Sequence, residues 1–279
     1  MSSKMKRRKS LWARMQENKR ILVLEGVVLP LLFGVLILVA WQTKILHTIL
    51  HTDTFTLPLP GRIVTIIGDN IGNIMVDVKA TVLVAILGLL GGSLLGYLLA
   101  VVAALFPKWG SSGVTLVAAF NAIPIVALAP VMTNWTKDVS SDANVRSMVA
   151  KILVVVIVCM ANMSMNAFRG LTDLKPYSED LMRSIAAGKW KTLYKLRIPN
   201  SVPYIFTALK VAVPASVISA LVSEYFAEYI VGVGRQIREN IVLAQYSAAW
   251  AYIVVACLIG IVMYGILMLV QSILLRKHA

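Results

Sequence analysis

The sequence predicts an all-α polytopic membrane protein with about six transmembrane helices. Of its 279 residues, 58% are hydrophobic and only 14% are charged, whereas a soluble domain carries roughly 25% charged residues. The apolar residues form separate stretches, and each is close to the about 20 residues that a helix needs to cross the hydrocarbon core. Lipid offers the backbone no hydrogen-bond partners, so these stretches are predicted to be helices rather than open strands. The six predicted spans are 21–42, 80–106, 112–134, 147–168, 203–224 and 248–275.

The distribution of Lys and Arg orients these spans. Basic residues concentrate in the N-terminal segment 1–20, in the loop 169–199 and at the C-terminus, and six spans place these three regions on one side. Because Lys and Arg gather at the cytosolic ends of spans, we expect both termini in the cytosol. The chain then divides into a basic cytosolic segment, 1–20, and a transmembrane domain, 21–279, that includes the cytosolic loop.

The basic N-terminus and the net charge of +14 each have a second interpretation. The apolar stretch that follows the basic segment is longer than the roughly 7–15 residues of a signal peptide's apolar region, which predicts an uncleaved first span. A strongly basic soluble protein would suggest nucleic-acid binding, but this sequence has no recognition motif and its basic residues lie at membrane ends. We therefore expect no nucleic-acid partner.

Enzyme and metal motifs are missing from the sequence. It has no Gly-x-x-x-x-Gly-Lys-[Ser/Thr] phosphate loop, no His-Glu-x-x-His and no Gly-x-Ser-x-Gly. The three histidines lack ligand spacing, and Cys159 and Cys257 lie within apolar stretches where they are expected to pack. We expect no catalytic residue, no metal and no cofactor bound by this chain, so an ATP-driven activity would need its ATPase on another chain.

The spans contain small and polar residues with two interpretations each. Gly88, Gly92 and Gly96 recur every four residues, which predicts close packing within the bundle rather than a dimer seam. The third span is interrupted by prolines and an asparagine, and that asparagine faces either a neighbouring helix or a solute pathway. A serine stripe in the fifth span either packs or lines a polar path, with packing favoured. The pathway candidates are Asn121, Ser216, Ser219, Ser223 and Glu224.

Two segments outside the spans have a helical pattern. Isoleucines between 63 and 74 recur at helical spacing after a proline-rich start, which predicts a short amphipathic helix on the outer surface. In the cytosolic loop, Leu181, Ile185 and Gly188 share one stripe of a helix predicted over about 180–195. That helix either docks a soluble partner or lies on the bilayer, and the residues alone leave both alternatives open.

The same loop resembles the "EAA" coupling motif of permeases from binding-protein-dependent ABC importers. The family pattern is Glu-Ala-Ala, three residues, a glycine, and a run that ends in a hydrophobic residue and proline. Here Asp180-Leu181-Met182 stand at the first three positions, Ala186 at the glycine and Ile198-Pro199 at the end. The stretches Phe120–Pro130, Leu57–Pro60 and Gly232–Gly234 are similar to the nitrate/sulfonate/taurine branch of that family. The resemblance runs from about residue 57 to the C-terminus.

The resemblance implies the fold of a type I ABC importer permease in the bacterial cytoplasmic (inner) membrane. It implies a homodimer that receives solute from an extracytoplasmic binding protein and works by alternating access. ATP and Mg would bind to separate ATPase subunits, which the 180–195 helix would contact. The implied coupling residues are Asp180, Arg183, Ala186, Ala187, Gly188, Lys189 and Leu193.

Two other functions remain open from the residues. One is a channel or secondary transporter that works without an ATPase, and the other is a membrane scaffold whose basic loop recruits a soluble partner. The substrate is not determined by the sequence, because nitrate, sulfonates, taurine and small heterocyclic vitamin precursors all fit the branch.

Overall fold

The computed structural model describes residues 26, 28–106, 108–227 and 231–275 of the chain. Throughout these residues the regular structure is helical and no strand occurs, which confirms the predicted all-α class. The α-helices are α1 (Leu29–Gln42), α2 (Ile45–Ile49), α3 (Pro60–Asp69), α4 (Ile71–Leu105), α5 (Gly110–Ala118), α6 (Ile125–Trp135), α7 (Ala143–Thr172), α8 (Ser178–Ser184), α9 (Lys189–Thr192), α10 (Ile198–Tyr225), α11 (Val233–Val242) and α12 (Tyr246–Leu275).

Four long apolar helices match four of the predicted spans. They are α4, α7, α10 with the helical turns that precede it, and α12. Each begins before the predicted position, and α4 begins at residue 71 rather than 80. Hydropathy marks only the part in lipid, whereas the 35 residues of α4 extend for about 52 Å, beyond the about 30 Å hydrocarbon core.

The predicted third span, 112–134, is broken. Helix α5 runs into the 3-10 turn Ala119–Ala122, and α6 then leaves at an angle of 98°. The bend falls at Ile123 and Pro124, because a proline disfavours the helical conformation in the residue before it, and Ile123 is extended with φ −76° and ψ 122°. The pair is one broken span or a re-entrant loop, so the described residues contain four or five spans and the count of six is not confirmed.

The described residues up to Thr65 form one compact unit of the chain. The segment 1–20 and the start of the predicted span 21–42 lie outside the described residues, and the described part of that span is the 14 residues of α1. The His47 Nε2–H donates to the Leu57 carbonyl oxygen at 2.6 Å. The predicted amphipathic helix is present as α3, although it ends at Asp69 and the later isoleucines belong to α4.

The second unit, residues 66–279, is built around the close contact between α4 and α7. A Cβ atom on Gly92 would lie 2.5 Å from the Val156 carbonyl oxygen, and one on Gly96 would lie 2.5 Å from that of Met160. At Gly88 it would collide with the side chain of Val155. The predicted packing of these glycines within the bundle is therefore confirmed. A core of buried apolar residues from α4, α7, α10, α11 and α12 surrounds this contact.

Candidate functional site

The cytosolic loop is not the single helix predicted over 180–195. Helix α8 ends at Ser184, the chain turns, and α9 begins at Lys189 and continues through the π-helical turn Leu193–Arg197 into α10. We refer to residues 178–197 as the coupling segment. Because the turn separates α8 from α9, the predicted stripe of Leu181, Ile185 and Gly188 does not form one helix face.

A helix C-cap produces this turn. The Ala186 N–H donates to the Arg183 carbonyl and the Ala187 N–H to the Met182 carbonyl, both at 2.9 Å, which is the pattern of a Schellman motif. Ala186 has a φ of +50°, a left-handed conformation that glycine adopts readily but that costs an L-residue about 1–2 kcal/mol. This is the position where the resembled family has glycine, so the motif itself contains the signal for the break.

The coupling segment exposes large apolar side chains. Leu181 is 66% exposed and Trp190 is 73% exposed, and Ile185 and Tyr194 are similarly uncovered. Contiguous exposed apolar surface marks a site of protein or membrane interaction. Its rim carries the exposed ion pair Asp180–Arg183, with a distance of 3.9 Å between Oδ1 and Nη1.

Leu193 differs from the other predicted coupling residues. Its side chain is 4% exposed and lies in a buried cluster with Met163, Ala167 and Ala208. It therefore anchors the coupling segment to the bundle and is not part of the exposed surface. Of the remaining candidates, Ala186, Ala187 and Gly188 form the turn, and Lys189 is the first residue of α9.

Arg197 joins three elements at the cytosolic end, and the sequence did not indicate it. Its Nη2–H donates to Glu179 Oε1 at 2.7 Å, and its Nη1–H donates to the Ala104 carbonyl oxygen at 2.8 Å. Glu179 belongs to α8 and Ala104 to the last turn of α4, whose carbonyls have no partner within the helix. One guanidinium thus holds the coupling segment against the end of a span.

The pathway candidates divide into one exposed residue and a buried group. Asn121 lies at the break between α5 and α6, exposed, and its Nδ2–H donates to Asn162 Oδ1 at 3.3 Å. The serine stripe is buried within the protomer, and each hydroxyl donates to a carbonyl of its own helix. The stripe is packed, and whether it also lines a pathway stays a prediction.

A polar cluster at the opposite ends of the spans contains Glu224, which is fully buried. It surrounds residues 231–234, which we call the outer strap and which lead into the first turn of α11. The Gly232 N–H donates to Asp77 Oδ1 at 2.9 Å, and the Gly234 N–H donates to Glu224 Oε2 at 2.9 Å. Between them, the Val233 N–H donates to Thr81 Oγ1 at 3.0 Å.

The same cluster extends to α7 and α12. Lys151, on α7, is only 6% exposed, although a lysine near a span end can extend its ammonium to water. Its Nζ donates to the Val231 carbonyl at 3.5 Å, and its charge interacts with that of Glu224. From α12, the Tyr252 hydroxyl donates to Asp77 Oδ2 at 2.9 Å. Three spans thus supply side chains that bind the strap directly, and α12 supports one of them, Asp77.

Glycine is required where the strap passes Glu224. Gly232 has a φ of +129°, and a Cβ atom there would collide with the Glu224 carboxylate. Ionisable groups at membrane depth mark functional sites unless they are paired within the protein. Here Asp77 and Glu224 Oε2 accept hydrogen bonds from the strap, so the arrangement fixes the start of α11. Glu224 Oε1 is buried without a hydrogen-bond partner among the described residues, and a role of Glu224 in a solute pathway stays a prediction.

Comparison with known proteins agrees with this geometry. Residues 92–277, more than half of the chain, match the family model described as "Binding-protein-dependent transport system inner membrane component". The chain is 26% identical over 247 residues to the formylaminopyrimidine transport permease protein ThiX of Halalkalibacterium halodurans. The aligned region covers 88% of this chain and 94% of that protein. It is 24% identical over 196 residues to a probable ABC transporter permease protein of Haemophilus influenzae, which covers 70% and 76%. The residues matched by the family model include the coupling segment and the outer strap.

Proposed function

Since the chain belongs to the family of inner membrane components of binding-protein-dependent transport systems, we propose that its coupling segment is the surface that contacts the ATPase. The chain is the permease subunit of an ATP-driven ABC importer in the bacterial inner membrane, with an ATPase and a solute-binding protein as partners. It is not itself the catalytic subunit. A channel or secondary transporter without an ATPase is not favoured. ATP and Mg are proposed to bind to the ATPase.

The observation that carries this proposal is the exposed apolar surface of the coupling segment. Leu181 and Trp190 are uncovered on two short helices that a sharp turn holds apart. Covering a large apolar side chain contributes about 1.5–3 kcal/mol, part of which association and ordering offset. The turn between α8 and α9 presents small residues, Ala187 and Gly188, where a partner backbone can approach closely.

Gly188 offers the sharpest test, because a side chain there leaves the fold intact. Its φ is −65°, and a Cβ atom would meet nothing within 4 Å. We expect Gly188→Trp to block docking, so that transport and transport-stimulated ATP hydrolysis of the reconstituted complex fall at least tenfold. Gly68→Trp, at an equally open position in α3, is the matched control and is expected to keep both. Wild-type transport by the Gly188 variant, with an unchanged melting temperature in detergent, would contradict the proposal.

Two copies of the chain are proposed to form the permease, since closed two-fold dimers are the commonest symmetric assembly. Membrane lipid is proposed to contact the basic cytosolic face. Light scattering of the detergent-solubilised complex, corrected for bound detergent, measures the number of permease chains. One permease chain per complex would contradict the dimer.

The proposed solute is a small heterocycle, such as an aminopyrimidine, rather than an inorganic anion. Support comes from the similarity to the formylaminopyrimidine permease along nearly the whole chain. The exposed Asn121 at the broken span and the half-buried Asn162 beside it on α7 carry amide donors and acceptors, which suit ring nitrogens and amines. Calorimetry with the binding protein that co-purifies with the chain tests this: tight nitrate or taurine binding without pyrimidine binding would overturn it.

A separate measurement tests the pathway. We expect a cysteine at position 121 to react with an impermeant thiol reagent during turnover. Reaction at positions 216, 219, 223 or 224 would place the other candidates in the pathway as well, and protection there would count against them. Protection of position 121 in every state of the transport cycle would remove it from the pathway.

A further inference from the structure

A cationic cavity lies between the coupling segment and the end of α4. Its volume is about 300 Å³, and its walls include Arg183, Lys189 and Arg197 as cations and Glu179 as the single carboxylate. Three positive charges and one negative charge leave a net charge of +2. Ala104 and Leu105, from the last turn of α4, complete the wall on the membrane side.

An apolar groove lies beside the cavity, between α4 and α5. Its volume is about 500 Å³, and it is lined almost entirely by apolar side chains from Leu99 to Val117. Trp109 stands at its end and is 79% exposed. Tryptophan favours the level of the lipid headgroups, where its ring is in the apolar layer and its N–H reaches polar groups.

The cavity and the groove share the last turn of α4. Ala103 and Phe106 line the groove, while Ala104 and Leu105, between them in sequence, line the cavity. A helix with its side chains is about 10–12 Å across, so the headgroup and an acyl chain of one phospholipid can reach both openings. A cationic site for a headgroup and an apolar channel for an acyl chain therefore meet at the cytosolic membrane surface.

We propose that an anionic phospholipid binds at this position, with its phosphate in the cavity and an acyl chain in the groove. Basic pockets between spans on the cytosolic side are suited to such headgroups. A carboxylate from the ATPase also matches the charge, but it would leave the groove unused. The lipid would contact α8 and α9, and it would therefore link the membrane composition to the position of the coupling segment.

The experiment measures bound lipid on the intact transporter complex, reconstituted in nanodiscs of phosphatidylcholine with 30% phosphatidylglycerol, then released for native mass spectrometry. We expect wild type to retain phosphatidylglycerol over phosphatidylcholine. The double variant Arg183→Gln, Lys189→Gln is expected to reduce that retention roughly 25-fold, since each of the two cations adds about a factor of five in affinity for anionic lipid. Lys191→Gln, Lys195→Gln removes equal charge from the same segment outside the cavity and is expected to have little effect.

Filling the groove provides a second, independent variant. Gly113 lines the groove, and a Cβ atom there meets nothing within 4 Å, so Gly113→Leu should fold and still lower retention. Gly72→Leu, at an open position away from the groove, is its control. The proposal would be overturned if the control variant Lys191→Gln, Lys195→Gln lost as much phosphatidylglycerol as the cavity variant Arg183→Gln, Lys189→Gln. Loss of ATPase binding in the cavity variant without a change in retained lipid would also overturn it and would assign the cavity to the ATPase.

Discussion

The outer strap and the coupling segment lie at opposite ends of the same helices and are held in opposite ways. Side chains from α4, α7 and α10 bind the backbone of the strap directly, and nearly all of these groups are buried. The coupling segment is 20 residues long, exposes its large apolar side chains, and is tied to α4 through Arg197. The outer end is therefore built for a fixed geometry, and the cytosolic end for a partner.

The electrostatic environments explain the difference. Hydrogen bonds to buried charged groups contribute roughly 1.5–3 kcal/mol each, and an unpaired buried charge is costly. An exposed ion pair such as Asp180–Arg183 contributes about 0–1 kcal/mol. Displacing the strap therefore costs much more free energy than displacing the coupling segment, whose conformation can change when a partner binds.

The largest expected effect comes from removing Glu224. Glu224→Ala leaves the buried Gly234 N–H without its acceptor and a cavity in place of a fully buried side chain, so we expect a loss of about 3–5 kcal/mol in stability. Thermal unfolding in detergent measures it. Glu179→Ala, which removes a half-exposed carboxylate from the coupling segment, is the comparison and should cost about 1 kcal/mol. Equal losses in the two variants would mean that the strap is no more firmly held.

Replacing glycines tests the same difference between the strap and the coupling segment with smaller losses of stability. Gly232→Ala is expected to destabilise the protein by about 2–4 kcal/mol, because the left-handed backbone and the Glu224 carboxylate both oppose a Cβ atom. Gly188→Ala, in the coupling segment, should change the melting temperature little. If Gly232→Ala behaved like Gly188→Ala, the strap would have to be mobile enough to move away from Glu224.

Arg197→Lys tests the tether between the coupling segment and α4. A lysine keeps the charge but cannot donate to Glu179 and Ala104 in the guanidinium geometry, so we expect a stability loss of about 1 kcal/mol. The more informative result is the ratio of transport to ATP hydrolysis. We expect this ratio to fall, because the ATPase would move the coupling segment without moving α4 by the same amount. Lys195→Arg serves as the control, and an unchanged ratio in Arg197→Lys would show that the tether does not transmit motion.

The smallest expected effect is a gain. Ala186→Gly relieves the left-handed strain at the C-cap of α8 and should stabilise the turn by about 1 kcal/mol, visible as slower hydrogen exchange of the Ala187 amide. Ala187→Gly, one residue later, relieves no strain and adds backbone flexibility, so the amide at position 187 is expected to exchange faster than in the wild type. The reverse order would argue against the C-cap as the origin of the turn.

The elements that sequence could predict are those with a local signature. The long spans follow from uninterrupted apolar stretches, the α4–α7 contact from glycines four residues apart, and an interruption near Asn121 from its prolines. The angle of the bend could not be predicted, because it depends on how α7 packs beside both halves.

The outer strap and the Arg197 tether could not be predicted for a different reason. Asp77 and Gly232 are 155 residues apart in sequence, and the pairing between them leaves no periodic pattern in either segment. Lys151, considered alone, is indistinguishable from a lysine that reaches water at a span end. The turn at Ala186 was predictable in principle, because a glycine in the family motif is also the typical residue of a helix C-cap.

Helix α4 has a mechanical consequence that neither end suggests alone. Ala104 receives the tether from the coupling segment, and Asp77, 27 residues away on the same helix, holds the outer strap. That separation corresponds to about 40 Å of continuous helix, braced along its middle by the glycine contacts with α7. One continuous helix therefore joins the two ends of the permease. We expect it to move as a rigid body, so that a displacement of its cytosolic end is transmitted directly to the outer strap.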